Sequence, residues 1–147
     1  MTVCHFFDLT VMTFCHIIIK NNSIGDNMTK RVVIAGCRDY KNYNEAKEFI
    51  DFCISNIKDE YELIFVSGNC SGADRLGEQY AKEKGYPIEL YPAEWNKYGN
   101  SAGPKRNKHM AIIGDYFICF WDGKSKGTKS IISFITELHK PLKIKRI

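Results

Sequence analysis

No two of the six cysteines, at positions 4, 15, 37, 53, 70 and 119, stand in a CxxC spacing. That absence excludes a thioredoxin-like redox motif and the common zinc frames. Cys53 falls on the apolar face of an expected helix and Cys119 inside an apolar strand, where a thiol behaves as a small buried hydrophobe. The chain therefore reads as a protein of a reducing, cytoplasmic compartment. Long apolar runs are missing too. The run from Val11 to Ile19 falls far short of the roughly 20 residues a membrane-spanning helix needs. No Lys or Arg precedes Lys20, and Asp8 interrupts the segment, so neither a secretory leader nor a membrane partner is expected. There is no internal repeat and no low-complexity tract. Charge of one sign is not in large excess either: 21 Lys and Arg against 17 Asp and Glu leave +4. This mild basicity suits an anionic ligand without demanding a nucleic acid.

What is present is an ordinary globular composition, 44% hydrophobic and 26% charged over 147 residues, enough for one domain with a core of its own. Residues 1–27 differ in character from the rest and end in a loop-like stretch, 21–27, after which Met28 opens directly onto a strand. They are expected to be an N-terminal extension outside the core fold, with 28–147 as the domain. Short apolar runs at 31–36, 62–66, 88–91, 115–121 and 141–145 predict five strands. Between them, apolar residues recur at helical spacing. Ala46, Ile50, Cys53 and Ile54 follow a cap at Asn44, and Ala73, Leu76, Tyr80 and Ala81 run to a stop at Gly85. Pro104 opens a third helix with Met110 and Ile113 inward, and Gly127 and Thr128 begin a last one carrying Ile131 and Ile135. A polar loop is expected up to Gly103. This alternation predicts an α/β fold, a doubly wound parallel sheet of about five strands flanked by helices. The last strand, as an edge, leaves room for pairing with a second copy of the chain.

In such a sheet the ligand sits beyond the carboxyl ends of the strands. There the polar and glycine residues collect. The segment 67–74 can cradle an anion: Gly68 and Gly72 permit close approach, Ser71 adds a hydroxyl, and amides at a helix start favour phosphate. A plain strand–helix turn capped by Ser71 or Asp74 has the same letters. It is neither GxxxxGK[ST] nor GxGxxG, so no Walker loop or dinucleotide fingerprint is present. The segment 122–128 repeats the physics, with Lys124 and Lys126 adding charge, or holds Thr128 as a simple cap. Arg106, on a first helical turn, can fork onto a phosphate or carboxylate, and Arg38 is similarly placed. Trp95, Tyr98 and Trp121 can stack on a base or ribose, or pack as rim and core. His109 is given no role. No metal or cofactor is called for.

The strings at 34–39, 67–68 with 71–74, Trp95 with 102–107, and 121–128, in that order, resemble the SLOG superfamily. More narrowly they are similar to its YspA-like, YpsA-related branch, over about residues 30–147. The resemblance implies a Rossmann-like domain that binds nucleotides or nucleotide-derived molecules. Its implied ligand contacts are Gly36, Arg38, Ser67, Gly68, Ser71, Gly72, Ala73, Asp74, Arg106, Gly123, Ser125, Gly127 and Thr128. The phosphoribohydrolase branch of that superfamily carries PGGxGTxxE, whereas here Ile131 stands at the glutamate's place. Hydrolysis would then need another carboxylate, and Glu94, Asp74 and Asp122 are the candidates. Three readings follow: a sensor of a nucleotide-derived ligand, an enzyme acting at the N-glycosidic bond of a nucleotide, and single-strand DNA binding by analogy with the DprA branch. The modest, scattered charge argues against nucleic acid.

Overall fold

Alternate residues of the first strand, β1 (Thr29–Gly36), point to opposite faces, and both faces are apolar: Val32 and Ile34 on one, Val33 and Ala35 on the other. A strand without a polar face belongs at the centre of a sheet covered on both sides. The computed structural model describes residues 28–147 and places β1 there; the extension expected over 1–27 lies outside the described residues. β1 pairs on one side with β2 (Glu62–Ser67), which pairs with β3 (Ile88–Leu90). On its other side it pairs with β4 (Tyr116–Trp121), which pairs with β5 (Leu142–Arg146). All four pairings are parallel, and the order is β3-β2-β1-β4-β5.

Helices α1 (Tyr43–Ile54) and α2 (Ala73–Lys84) cover one face. Their Ile50, Ile54, Leu76 and Tyr80 pack with Val32, Ile34, Phe65 and Phe120. After the short α3 (Trp95–Tyr98), α4 (Ala102–Ile113) and α5 (Lys126–Glu137) cover the other face, setting Met110, Ala111, Ile131 and Ile135 against Val33, Val66, Phe117 and Cys119. Each fully buried Ile or Phe here stabilises by roughly 1.5–3 kcal/mol relative to exposure. Together the layers form a Rossmann-like single α/β domain. No described helix is long and apolar enough to cross a membrane.

Some local expectations change. The cap of α1 is Asn42 rather than Asn44: its side chain accepts from the Glu45 amide at 3.2 Å, which only a residue outside the first turn can do. Likewise Ser125, not Thr128, caps α5 and accepts from the Thr128 amide at 3.4 Å. The segment before Gly103 is not a plain loop, since it holds α3 and a 3₁₀ turn, Gly99–Ser101. Gly85 ends α2 in the left-handed region at φ +78°, as expected.

The chain runs from β1 outward to β2 and β3, then crosses back to β4 and β5 on the other side. The direction of winding therefore reverses between β1 and β4. Loops leaving those two strands diverge, and a crevice opens at their carboxyl ends.

Candidate functional site

The crevice is a cleft of about 600 Å³. Gly36 and Arg38 from the end of β1, Asp74 from the start of α2, Arg106 and Asn107 from α4, and Asp122, Lys124, Ser125, Gly127 and Thr128 from the β4–α5 turn line it. Gly36 is needed because a Cβ there would overlap the Phe120 carbonyl oxygen. The Cys37 amide donates to that same carbonyl at 3.0 Å, so the ends of β1 and β4 are fastened together before the loops part.

The β2–α2 turn is tied largely to itself and to β1. Ser67 Oγ donates to Glu78 at 2.7 Å and accepts from the Asn69 amide at 3.1 Å. The Ala73 amide donates to the Cys37 carbonyl at 3.1 Å, and the Cys70 amide to Asp74 Oδ2 at 3.1 Å. Ser67, Gly68, Gly72 and Ala73 thus build the wall behind the cleft without lining it, and Ser71 lies exposed on the loop. Asp74 itself is 5% exposed. Burial pushes its carboxyl up to about 6, with Glu78 adding to the rise, while the Cys70 N–H, Arg106 and Arg38 oppose it.

The β4–α5 turn is built differently. Asp122 Oδ1 accepts from the Lys124 and Ser125 amides, both at 2.8 Å, and those donors hold its carboxyl below the ordinary range. The Ser125 and Thr128 hydroxyls lie 3.2 Å apart at the mouth of α5. The first turn of α5 has no acidic residue, and the amides of Lys126 and Gly127 have no acceptor among the described residues. By contrast, the carboxylate of Asp74 already sits in the first turn of α2. Of the two helix starts, that of α5 is the one left to attract an anion. The cations Arg38, Arg106 and Lys124 are matched by Asp39, Asp74 and Asp122 around the cleft, so attraction depends on local geometry rather than net charge.

Arg106 ties the site together. Nε donates to Asn107 Oδ1 at 3.0 Å, Nη1 to the carbonyl oxygens of Gly68 and Tyr91, and Nη2 to Cys70 Sγ at 3.5 Å. Asn107 Nδ2 donates in turn to the Gly127 carbonyl at 3.2 Å. The pair joins the ends of β2 and β3 to α5. Hydrogen bonds from a charged donor contribute about 1.5–3 kcal/mol. Arg106→Met, similar in bulk, should therefore lose about 2–3 kcal/mol in urea unfolding; a loss below about 0.5 kcal/mol would show the clamp to be idle.

Other candidates lie elsewhere. Glu94 lines a second cleft, of about 400 Å³, which shares Arg106 with the first and does not include Asp74. Trp95 is exposed, its ring lying over Gly103. Trp121 donates from Nε1 to the Ser125 carbonyl at 3.2 Å and lies under the Arg146 guanidinium, which also covers Gly123. Neither tryptophan nor Gly123 lines the first cleft. Asn107, only 7% exposed, carried no assigned role in the sequence; its one signal is an amide at an inward helical position, three before Met110. Among the described residues no three His, Cys, Asp or Glu side chains gather as metal ligands.

The sheet order and the crevice at its reversal define a Rossmann-like α/β protein. The sequence profile of the YspA, cpYpsA-related SLOG family matches residues 30–98, from β1 through α3. The Gene 61 protein of Mycobacterium phage D29 is 30% identical over 106 residues, covering 68% of this chain and 83% of that protein. The chain belongs to the YspA, cpYpsA-related SLOG family. Among solved structures it resembles DNA processing protein A (DprA) from Streptococcus pneumoniae, with a TM-score of 0.58 and 17% identity over 79% of this chain. At that identity the likeness is one of fold, and this chain spans 50% of that protein's length.

Proposed function

We propose that the cleft binds a nucleotide or nucleotide-derived small molecule, with its phosphate at the start of α5, and that the protein acts as a sensor of that ligand. The observation that carries the reading is the first turn of α5. It lies at the topological reversal and presents two amides without acceptors, two hydroxyls and the adjacent Lys124 to a cleft of about 600 Å³. Family membership and the Rossmann-like fold support the same ligand class.

A thermal-shift screen with nucleoside monophosphates tests it. A ligand at about 100 times its Kd should add about 2.7 kcal/mol of stability. Gly127 separates binding from folding. A Cβ there meets nothing within 4 Å, so Gly127→Leu should leave the Tm of the free protein within about 3 °C, or raise it through helix propensity. The same change puts bulk at the phosphate position and should weaken binding at least tenfold. No stabilisation by any monophosphate, or full binding by Gly127→Leu, contradicts the reading.

One observation favours a second reading, an enzyme cleaving the N-glycosidic bond of a nucleotide. Asp74 is a buried carboxyl in the cleft with its pKa pushed up to about 6, the range useful to a general acid or base. On that reading the protein releases free base from a monophosphate, and Asp74→Asn abolishes the release while leaving binding intact.

A further inference from the structure

Helix α4 lines two clefts on adjacent faces. Ala102, Lys105, Arg106 and His109, spaced three, one and three apart, line the second cleft. Arg106, Asn107 and Met110 line the first. Arg106 belongs to both, and its head is held on the carbonyls of Gly68 and Tyr91. It is a fixed crest, not a movable gate. The two clefts adjoin at Arg106, so two groups on one small molecule can reach both.

The second cleft lacks the hydroxyls of the first, with no Ser or Thr in its lining, and at the start of α4 the Ala102 amide already donates to the Gly99 carbonyl. It has rings instead. Tyr91 lies against His109 with centroids 5.2 Å apart, and Tyr98 carries the Lys105 ammonium 4.3 Å from its centroid. Tyr98 and His109 are exposed, so ring surface is presented to the cleft rather than buried in the core. Glu94 adds a carboxylate able to accept from amino or imino hydrogens.

We propose that this second cleft is a subsite for a nucleobase, and that the protein's ligand is a dinucleotide-sized molecule laid across Arg106 with its terminal phosphate at the start of α5. The proposal rests on the reading of the first cleft given above. Its flat aromatic end stacks on Tyr98 or His109, which accept any base by its π-face, and Glu94 selects among bases by hydrogen bonding. The linking phosphodiester passes over the guanidinium of Arg106.

Calorimetric titration with 5′-phosphorylated mononucleotides and the matching dinucleotides tests this, in the wild type and in Tyr98→Ala and His109→Ala. Both side chains are exposed, and thermal denaturation of the free variants checks that they fold. The wild type should bind one dinucleotide at least tenfold more tightly than its mononucleotide, and at least one variant should erase that difference while binding the mononucleotide as before. Equal affinity for the two probes, or equal weakening of both by Tyr98→Ala and His109→Ala, overturns the second subsite and leaves the first standing. Affinity that keeps climbing from two to ten nucleotides overturns it in favour of a single-strand track. If no mononucleotide or dinucleotide binds at all, the reading of the first cleft fails and this one falls with it.

Discussion

Gly72→Ala should lower the stability of the protein by about 3 kcal/mol or more. Gly72 has φ +74° and ψ −127°, a region that residues with a Cβ scarcely enter, at about 1–3 kcal/mol for the strain alone. The added methyl would also overlap the Cys37 carbonyl oxygen and the Arg38 backbone. Those are main-chain atoms of the turn that lines the cleft, so no side chain can swing aside, and overpacking of this kind adds about 1–3 kcal/mol more. For a domain of this size the midpoint should drop by on the order of 10 °C. Thermal unfolding followed by circular dichroism measures it. A drop under about 2 °C would mean that the contact between the β2–α2 turn and the end of β1 is slack.

Asp74→Asn should make the protein more stable at neutral and alkaline pH. The folded pKa of Asp74 is raised by burial from 3.8 to about 6. Folding therefore favours the neutral carboxyl, and its contribution is fully present below about pH 4 and lost as pH rises through about 6. A shift of about two units corresponds to about 3 kcal/mol. Asparagine removes the charge and keeps an oxygen for the Cys70 amide. The stability of Asp74→Asn minus that of the wild type should grow by about 2–3 kcal/mol between pH 4 and pH 8, measured by urea titrations at each pH. Carboxyls held low in the fold, such as Asp122 and Glu89, pull the wild-type curve the opposite way, but they cancel in the difference. A difference that does not change with pH would show that Asp74 is solvated or paired well enough to ionise normally.

The architecture was legible because its signals are local. Val32 to Ala35 are apolar on both faces, which only a central strand explains, and Gly85 marks a helix end through its own backbone. The alternation of such segments then dictates the parallel sheet. The grouping of loops was legible: 36–39, Asp74, Arg106, Asp122, Lys124, Ser125, Gly127 and Thr128 line one crevice. The division of labour between the loops was not. Ser67 and Ala73 bond within the wall through Glu78 and the Cys37 carbonyl, and those partners are set by how the β2–α2 turn folds back on β1. Arg106 binds main-chain carbonyls at the ends of β2 and β3, which leave no mark on residue type. Glu94 and Asp74 line different clefts, a three-dimensional fact with no one-dimensional trace. Trp121 looked like a stacking platform by type and position, but its indole N–H is engaged by the Ser125 carbonyl and its ring by Arg146.

An anion held at the first turn of α5 is what the proposed function requires. Amide chemical shifts followed during titration with a nucleoside monophosphate that stabilises the protein read that contact most directly. The largest, saturable changes should fall on Lys126 and Gly127, with smaller ones at Arg38 and Asp39 across the cleft. Changes that leave Lys126 and Gly127 unmoved while others saturate would contradict it.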